Sequence, residues 1–121
     1  MKRILMPVVL LLAMGFPAVA AFAHAFLDHA VPAVGSTVTT APKEVQIFYT
    51  QAIEPAFSAA TLSGSDGQTI ATGPATIDPQ NPMELVLKLP PLAPGHYKVK
   101  WHVVSVDTHR TEGAFSFDIQ P

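Results

Sequence analysis

The chain has 121 residues, of which 49% are hydrophobic and 13% charged, with seven Lys/Arg against nine Asp/Glu and no cysteine. Without cysteine, a disulfide framework and a lipoprotein anchor are both excluded. The slight acidic excess argues against nucleic acid or an anionic lipid surface as a partner, and the length suits a single domain.

The N-terminal stretch has the form of an export signal. Lys2 and Arg3 supply a positive start, Ile4 to Leu12 an apolar run broken only by Pro7, and Gly15 and Pro17 lead into small residues. The apolar run is shorter than the about 20 residues a membrane-spanning helix needs, and no second run follows. The working domain is therefore expected not to be membrane-embedded. No twin arginine is present, which favours general secretion. Ala18-Val19-Ala20, Ala21-Phe22-Ala23 and Ala23-His24-Ala25 all satisfy the small-residue rule for cleavage. Cutting after the middle triplet divides the chain into a signal peptide, 1–23, and a domain, 24–121, whose first residue is His24. Loss of Lys2 and Arg3 leaves five Lys/Arg against nine Asp/Glu, a net charge of −4 with neutral histidines.

Beyond the signal the pattern is that of strands. In 44–50, Val45, Ile47 and Tyr49 share one face and Glu44, Gln46 and Thr50 the other. Met83, Leu85, Leu87 and Leu89 alternate with Glu84, Val86 and Lys88. Tyr97, Val99, Trp101 and Val103 alternate with Lys98, Lys100 and His102, and Phe115, Phe117 and Ile119 with Ser116 and Asp118. Period two in short runs predicts half-buried antiparallel strands. Turn clusters at 64–68, 78–82 and 90–95 separate them, and no long helical periodicity is present. The expected fold is all-β, a single sandwich of about seven strands. Tyr97, opening a strand after Pro94-Gly95, is placed either to hydrogen-bond back across a sandwich corner or to fill the core as an ordinary buried tyrosine.

One strand breaks its own pattern. Odd positions are apolar through Val103, and then Val104 and Val106 follow, so the inward face is predicted to switch near Val103–Val104 through a bulge or bend. Ser105, Asp107 and His109 would then point outward together. In an extended segment, residues i and i+2 share a face with α-carbons roughly 6.5–7 Å apart, so a carboxylate and an imidazole can converge on one atom. Alone, Asp-x-His in a loop is usually a solvated acid beside a solvated histidine. An N-terminal His24 changes the weighing, because its α-amine and ring Nδ1 close a six-membered chelate on a metal. With the Asp107 carboxylate and the His109 imidazole, the set is three nitrogens and one oxygen. A tetragonal N/O set suits Cu(II), which such sites bind most tightly among first-row divalent ions; zinc prefers a tetrahedron. Of the other histidines, His29 reads as strand packing or surface, His96 as part of a turn, and His102 as polar-face. Trp101 reads as core.

The stretches HAFLDHAVPAVGSTV, FSAATLSGSDGQ and LAPGHYKVKWHVVSVDTHRTEGAFSFDI resemble the CopC family of periplasmic copper-binding proteins over essentially the whole of 24–121. The resemblance implies a cupredoxin-like or immunoglobulin-like Greek-key sandwich and one Cu(II) per chain. The implied ligands are His24 (amine and imidazole), Asp107 and His109. It also implies a CopD-type inner-membrane copper transporter as partner. Relatives that hold Cu(I) carry a methionine-rich loop, whereas 64–73 here has neither methionine nor histidine, and Met83 is the sole methionine after residue 23. Thioether ligands are what Cu(I) selects, so a Cu(II)-only protein is expected. Gln51 stands where some relatives have an acid, and Glu54 is a weaker substitute for it.

The leading expectation is a periplasmic copper carrier or buffer serving homeostasis, resistance or uptake, and not an enzyme. A histidine-brace copper oxygenase acting on polysaccharide is one alternative. It is disfavoured by the small area for a flat sugar face and by Asp107 filling a position that oxygen chemistry needs open. A metal-free immunoglobulin-like interaction domain is the other.

Overall fold

The computed structural model describes residues 25–121. Its strands are β1 (Leu27–Val31), β2 (Thr37–Val38), β3 (Glu44–Tyr49), β4 (Ala59–Ser63), β5 (Thr69–Ile70), β6 (Thr76–Asp78), β7 (Asn81–Lys88), β8 (Gly95–Val104) and β9 (Arg110–Ile119), with one short 3-10 turn at Pro55–Phe57. Set against about seven expected, the described residues form nine strands, of which β2 and β5 are only two residues long. Among these residues no helix is long and apolar enough to cross a membrane.

Two sheets form, in the orders β1-β3-β7-β6 and β2-β9-β8-β4-β5. All pairings are antiparallel except β2 with β9. The chain passes from one sheet to the other at every connection except the hairpins β4–β5, β6–β7 and β8–β9. This is the Greek-key wiring of an immunoglobulin-like sandwich. The period-two reading holds where it was strongest. Val45, Ile47, Tyr49, Leu85 and Leu87 face Val99, Trp101, Val103, Phe115, Phe117 and Ile119 across the core, all of them buried. Each such aliphatic or aromatic burial stabilises by about 1.5–3 kcal/mol relative to exposure. Met83 shares the parity of Leu85 but lies 40% exposed, near the strand's open start. The Tyr97 hydroxyl donates back to the Ala93 carbonyl at 2.5 Å while its ring is buried in the core on Phe117, so both expectations for this residue meet in one side chain.

The sandwich is organised around β8 and β9, which run antiparallel through ten paired residues from Gly95↔Ile119 to Val104↔Arg110. Midway, Trp101 lies opposite Gly113, and its ring meets Tyr49 of the other sheet edge-on with centroids 5.2 Å apart. A Cβ on Gly113 would come within 2.7 Å of Trp101 Cζ2, so the glycine makes room for the indole. The hairpin is therefore packed into the sandwich along its length, and whatever its loop carries is held at one end of the sheet.

Candidate metal centre

The loop that closes this hairpin is Ser105 to His109. The Ser105 N–H donates to the His109 carbonyl at 2.9 Å, and the Thr108 N–H donates to the Ser105 carbonyl at 2.8 Å. Thr108 has φ of 73°. A tight turn followed by one left-handed residue is a common three-residue hairpin closure. Here the left-handed place goes to a β-branched residue, which is disfavoured there. The Thr108 hydroxyl bonds the Asp107 carbonyl at 2.5 Å, giving this conformation a local partner.

The expected switch of faces at Val103–Val104 does not occur. Odd positions stay inward past the break, and Ser105 is fully buried like Val103. Val104 is half-buried, and residues 54–58 run alongside its backbone. The Glu54 N–H donates to the Val104 carbonyl at 2.7 Å, and the Val104 N–H to Ser58 Oγ at 3.2 Å. Val106 sits in the loop itself, 51% exposed, with its N–H on the Ala52 carbonyl at 3.1 Å.

Asp107 and His109 nevertheless meet, brought together by the turn and not by extended spacing. His109 Nδ1 lies 3.3 Å from Asp107 Oδ1, with the side chains 54% and 34% exposed. Buried Ser105 donates its hydroxyl to the same Oδ1. That hydroxyl, more than any other group, holds the Asp107 carboxyl below the usual carboxylate range, and His109's ring and backbone N–H act in the same direction. The loop thus offers an ionised carboxylate and an imidazole to solvent, side by side.

His24 lies outside the described residues. Its neighbour Ala25 is fully buried, with its carbonyl accepting from Thr111 Oγ1 at 2.6 Å. Phe26 is tied to Thr50 through its N–H on Oγ1 at 3.0 Å and its carbonyl on the Thr50 N–H at 2.9 Å. The chain therefore enters the sandwich beside the start of β9, two residues along from His109. Among the described residues, no three His, Asp or Glu gather as a metal site; the hairpin contributes a pair.

Gln51 precedes the residue that accepts from Val106, and its Oε1 is buried without a partner among the described residues. Glu54 opens the 3-10 turn. The remaining histidines stand apart from the loop. His29 pairs with Asp28 at 2.8 Å and stacks on Phe48 with centroids 4.3 Å apart. His96 pairs with Asp118 at 2.5 Å, at the opposite end of β8. His102 faces outward between Ala59 and Glu112. Sequence reasoning missed the burial of Ser105, for which the unbroken odd parity was the available signal.

These features define a small immunoglobulin-like β-sandwich that presents an acid–imidazole pair on the hairpin at one end. The chain belongs to the CopC family: the CopC domain matches residues 27–120. Protein YobA of Escherichia coli (strain K12) is 39% identical over 100 residues, covering 82% of this chain and 81% of that protein. Copper resistance protein C of Xanthomonas campestris pv. juglandis is 30% identical, with 93% and 92% covered. Among solved structures, CopC from Methylosinus trichosporium OB3b superposes with a TM-score of 0.76 at 37% identity, over 81% of this chain and 95% of that one. PcoC from Escherichia coli, described as a methionine-rich copper resistance protein, superposes with a TM-score of 0.71 at 30% identity, over 81% and 100%.

Proposed function

We propose that this chain is a Cu(II)-binding protein of the bacterial periplasm, exported on residues 1–23 and working as residues 24–121. It carries or buffers copper in homeostasis, resistance or uptake, and a CopD-type inner-membrane transporter is its partner. The observation that carries this reading is the Asp107–His109 pair, 3.3 Å apart and open to solvent on a rigid hairpin. Ala25 is fastened beside it through Thr111, and the residue before Ala25 in the sequence is His24. Cleavage after Ala23 turns that residue into a free N-terminus. One Cu(II) is then bound by the His24 amine and Nδ1, the His109 imidazole and the Asp107 carboxylate, a donor set that suits a tetragonal ion. The copper resistance proteins among the relatives support the choice of metal.

Copper is cargo in this reading and no reaction is assigned to it. Asp107, held beside His109, fills a position that oxygen chemistry needs open. Cu(I) is not part of the cargo, because Met83, 40% exposed on β7, is the one methionine among the described residues and cannot by itself build a thioether site. Titration of 24–121 with Cu(II) should saturate at one equivalent, with a weak tetragonal d–d absorption and no intense thiolate band. Absence of Cu(II) uptake, or stoichiometric Cu(I) binding under reducing conditions, would contradict the proposal.

A further inference from the structure

Ser105 has no donor role in the copper site just proposed, yet it is the most constrained polar side chain near it. Its relative exposure is 0%. Its N–H is held by the His109 carbonyl, its carbonyl by the Thr108 N–H, and it forms a β-bridge with Ile53. A hydroxyl on so fixed a backbone has few directions open to it. It has one proton and two acceptors in reach, Asp107 Oδ1 and, at 3.2 Å, the His109 carbonyl. The His109 carbonyl already takes the Ser105 N–H. A carboxylate is the stronger acceptor, with charge-assisted bonds roughly twice as strong as neutral ones. The proton therefore goes to Asp107.

Asp107 itself sits on a loop tip with a third of its side chain in solvent, where an unheld carboxylate would rotate. Both the Ser105 hydroxyl and the His109 ring engage Oδ1. The His109 backbone N–H also bonds this carboxyl, so the loop itself orders the carboxylate.

We propose that Ser105 is a positioning residue of the metal site: its buried hydroxyl fixes the Asp107 carboxylate by Oδ1, so that Asp107 presents an oriented carboxylate to copper. This inference rests on the copper reading of the Asp107–His109 pair. Its mechanism is preorganisation. The carboxylate is ordered before the metal arrives, so less ordering is left for binding to impose, and outer-shell partners that orient ligands typically matter by 10–100-fold in metal affinity.

The test is a double-mutant cycle on 24–121, read by competition titration with Cu(II) and by the electron paramagnetic resonance of the bound ion. Ser105→Ala should weaken Cu(II) binding by about tenfold or more and alter the spectrum, because the carboxylate loses its buried anchor. Ser105→Thr, which keeps the hydroxyl, should recover most of the affinity. In an Asp107→Ala background, Ser105→Ala should change nothing further, since the residue through which it acts is gone. Equal weakening in both backgrounds would mean that Ser105 supports the loop and not the carboxylate, and would overturn the proposal. Native affinity in Ser105→Ala would overturn it alone, leaving the copper reading in place. An unsubstituted domain that takes up no Cu(II) would overturn both together.

Discussion

Asp107 and His109 differ in what each brings to the loop. His109 supplies a nitrogen donor, while Asp107 supplies charge that is present at any pH where imidazole nitrogens are available, because the Ser105 hydroxyl keeps its carboxyl low. Proton competition for the metal therefore falls on the nitrogen donors, and binding should fade as the pH drops. We expect His109→Ala to weaken Cu(II) binding more than Asp107→Ala, because the first removes one of three nitrogens and the second leaves an all-nitrogen set. Both side chains are substantially exposed, so melting temperatures of the metal-free variants should stay close to the parent. Isothermal titration paired with thermal melts checks both halves, and a larger loss from Asp107→Ala would contradict the ranking. The convergence of these two residues was legible in the sequence, since Asp-x-His keeps its members close whether extended or turned. The inward aim of Ser105 was not. Val104 and Val106 imitate a change of face, although the odd positions stay inward through Ser105.

At the scale of the element, the β8–β9 hairpin must stay stiff for its loop to hold a fixed geometry. Trp101 packs closely over Gly113 midway along it. Gly113→Ala puts a methyl 2.7 Å from the indole, and the ring has little freedom to withdraw, being 8% exposed and lodged against Tyr49. Overpacking of this kind costs about 1–3 kcal/mol, so the melting temperature should fall by several degrees in a thermal melt; an unchanged value would show that the indole has another place to go. The long strands were readable because one face of each is buried along most of its length, which imposes period two. β2 and β5 were not, because two residues carry no period and their pairing is set by the strands beside them, Thr37-Val38 lying parallel to β9. His29, expected in strand packing or at the surface, lies exposed on β1. A register shift between Leu27 and His29 places the ring outside, on Phe48, although it alternates with two apolar residues.

For the molecule as a whole, stability and the proposed metal site rest on separate parts: the core is largely apolar, and the Asp107 and His109 side chains are substantially exposed. Among the described residues the buried polar side chains are Ser58, Ser105 and Glu84, and Glu84, 5% exposed on the four-stranded sheet, is the ionisable one. Burial pushes its carboxyl above the usual range and Asp78 adds to this, against a hydrogen bond from Gln46 Nε2 at 3.0 Å. A raised carboxyl binds its proton more readily in the folded than in the unfolded chain, so its contribution to stability falls as pH rises from the unfolded value through the folded one. Glu84→Gln should therefore raise the melting temperature at neutral pH, with the gain shrinking in acid where both states are protonated; a pH series of melts decides this, and a gain that grew in acid would refute it. None of this should affect copper, whose proposed site depends on where the exported chain begins. The most direct measurement compares Cu(II) titrations of the domain starting at His24 with the same domain carrying one extra residue before it. The addition keeps every side chain and the fold but turns the α-amine into a peptide amide, removing the six-membered chelate. The account predicts that affinity falls by orders of magnitude while the melting temperature of the metal-free protein is unchanged. Equal affinity and an identical spectrum in the two proteins would contradict it, and would show that His24 does not hold copper through its amine.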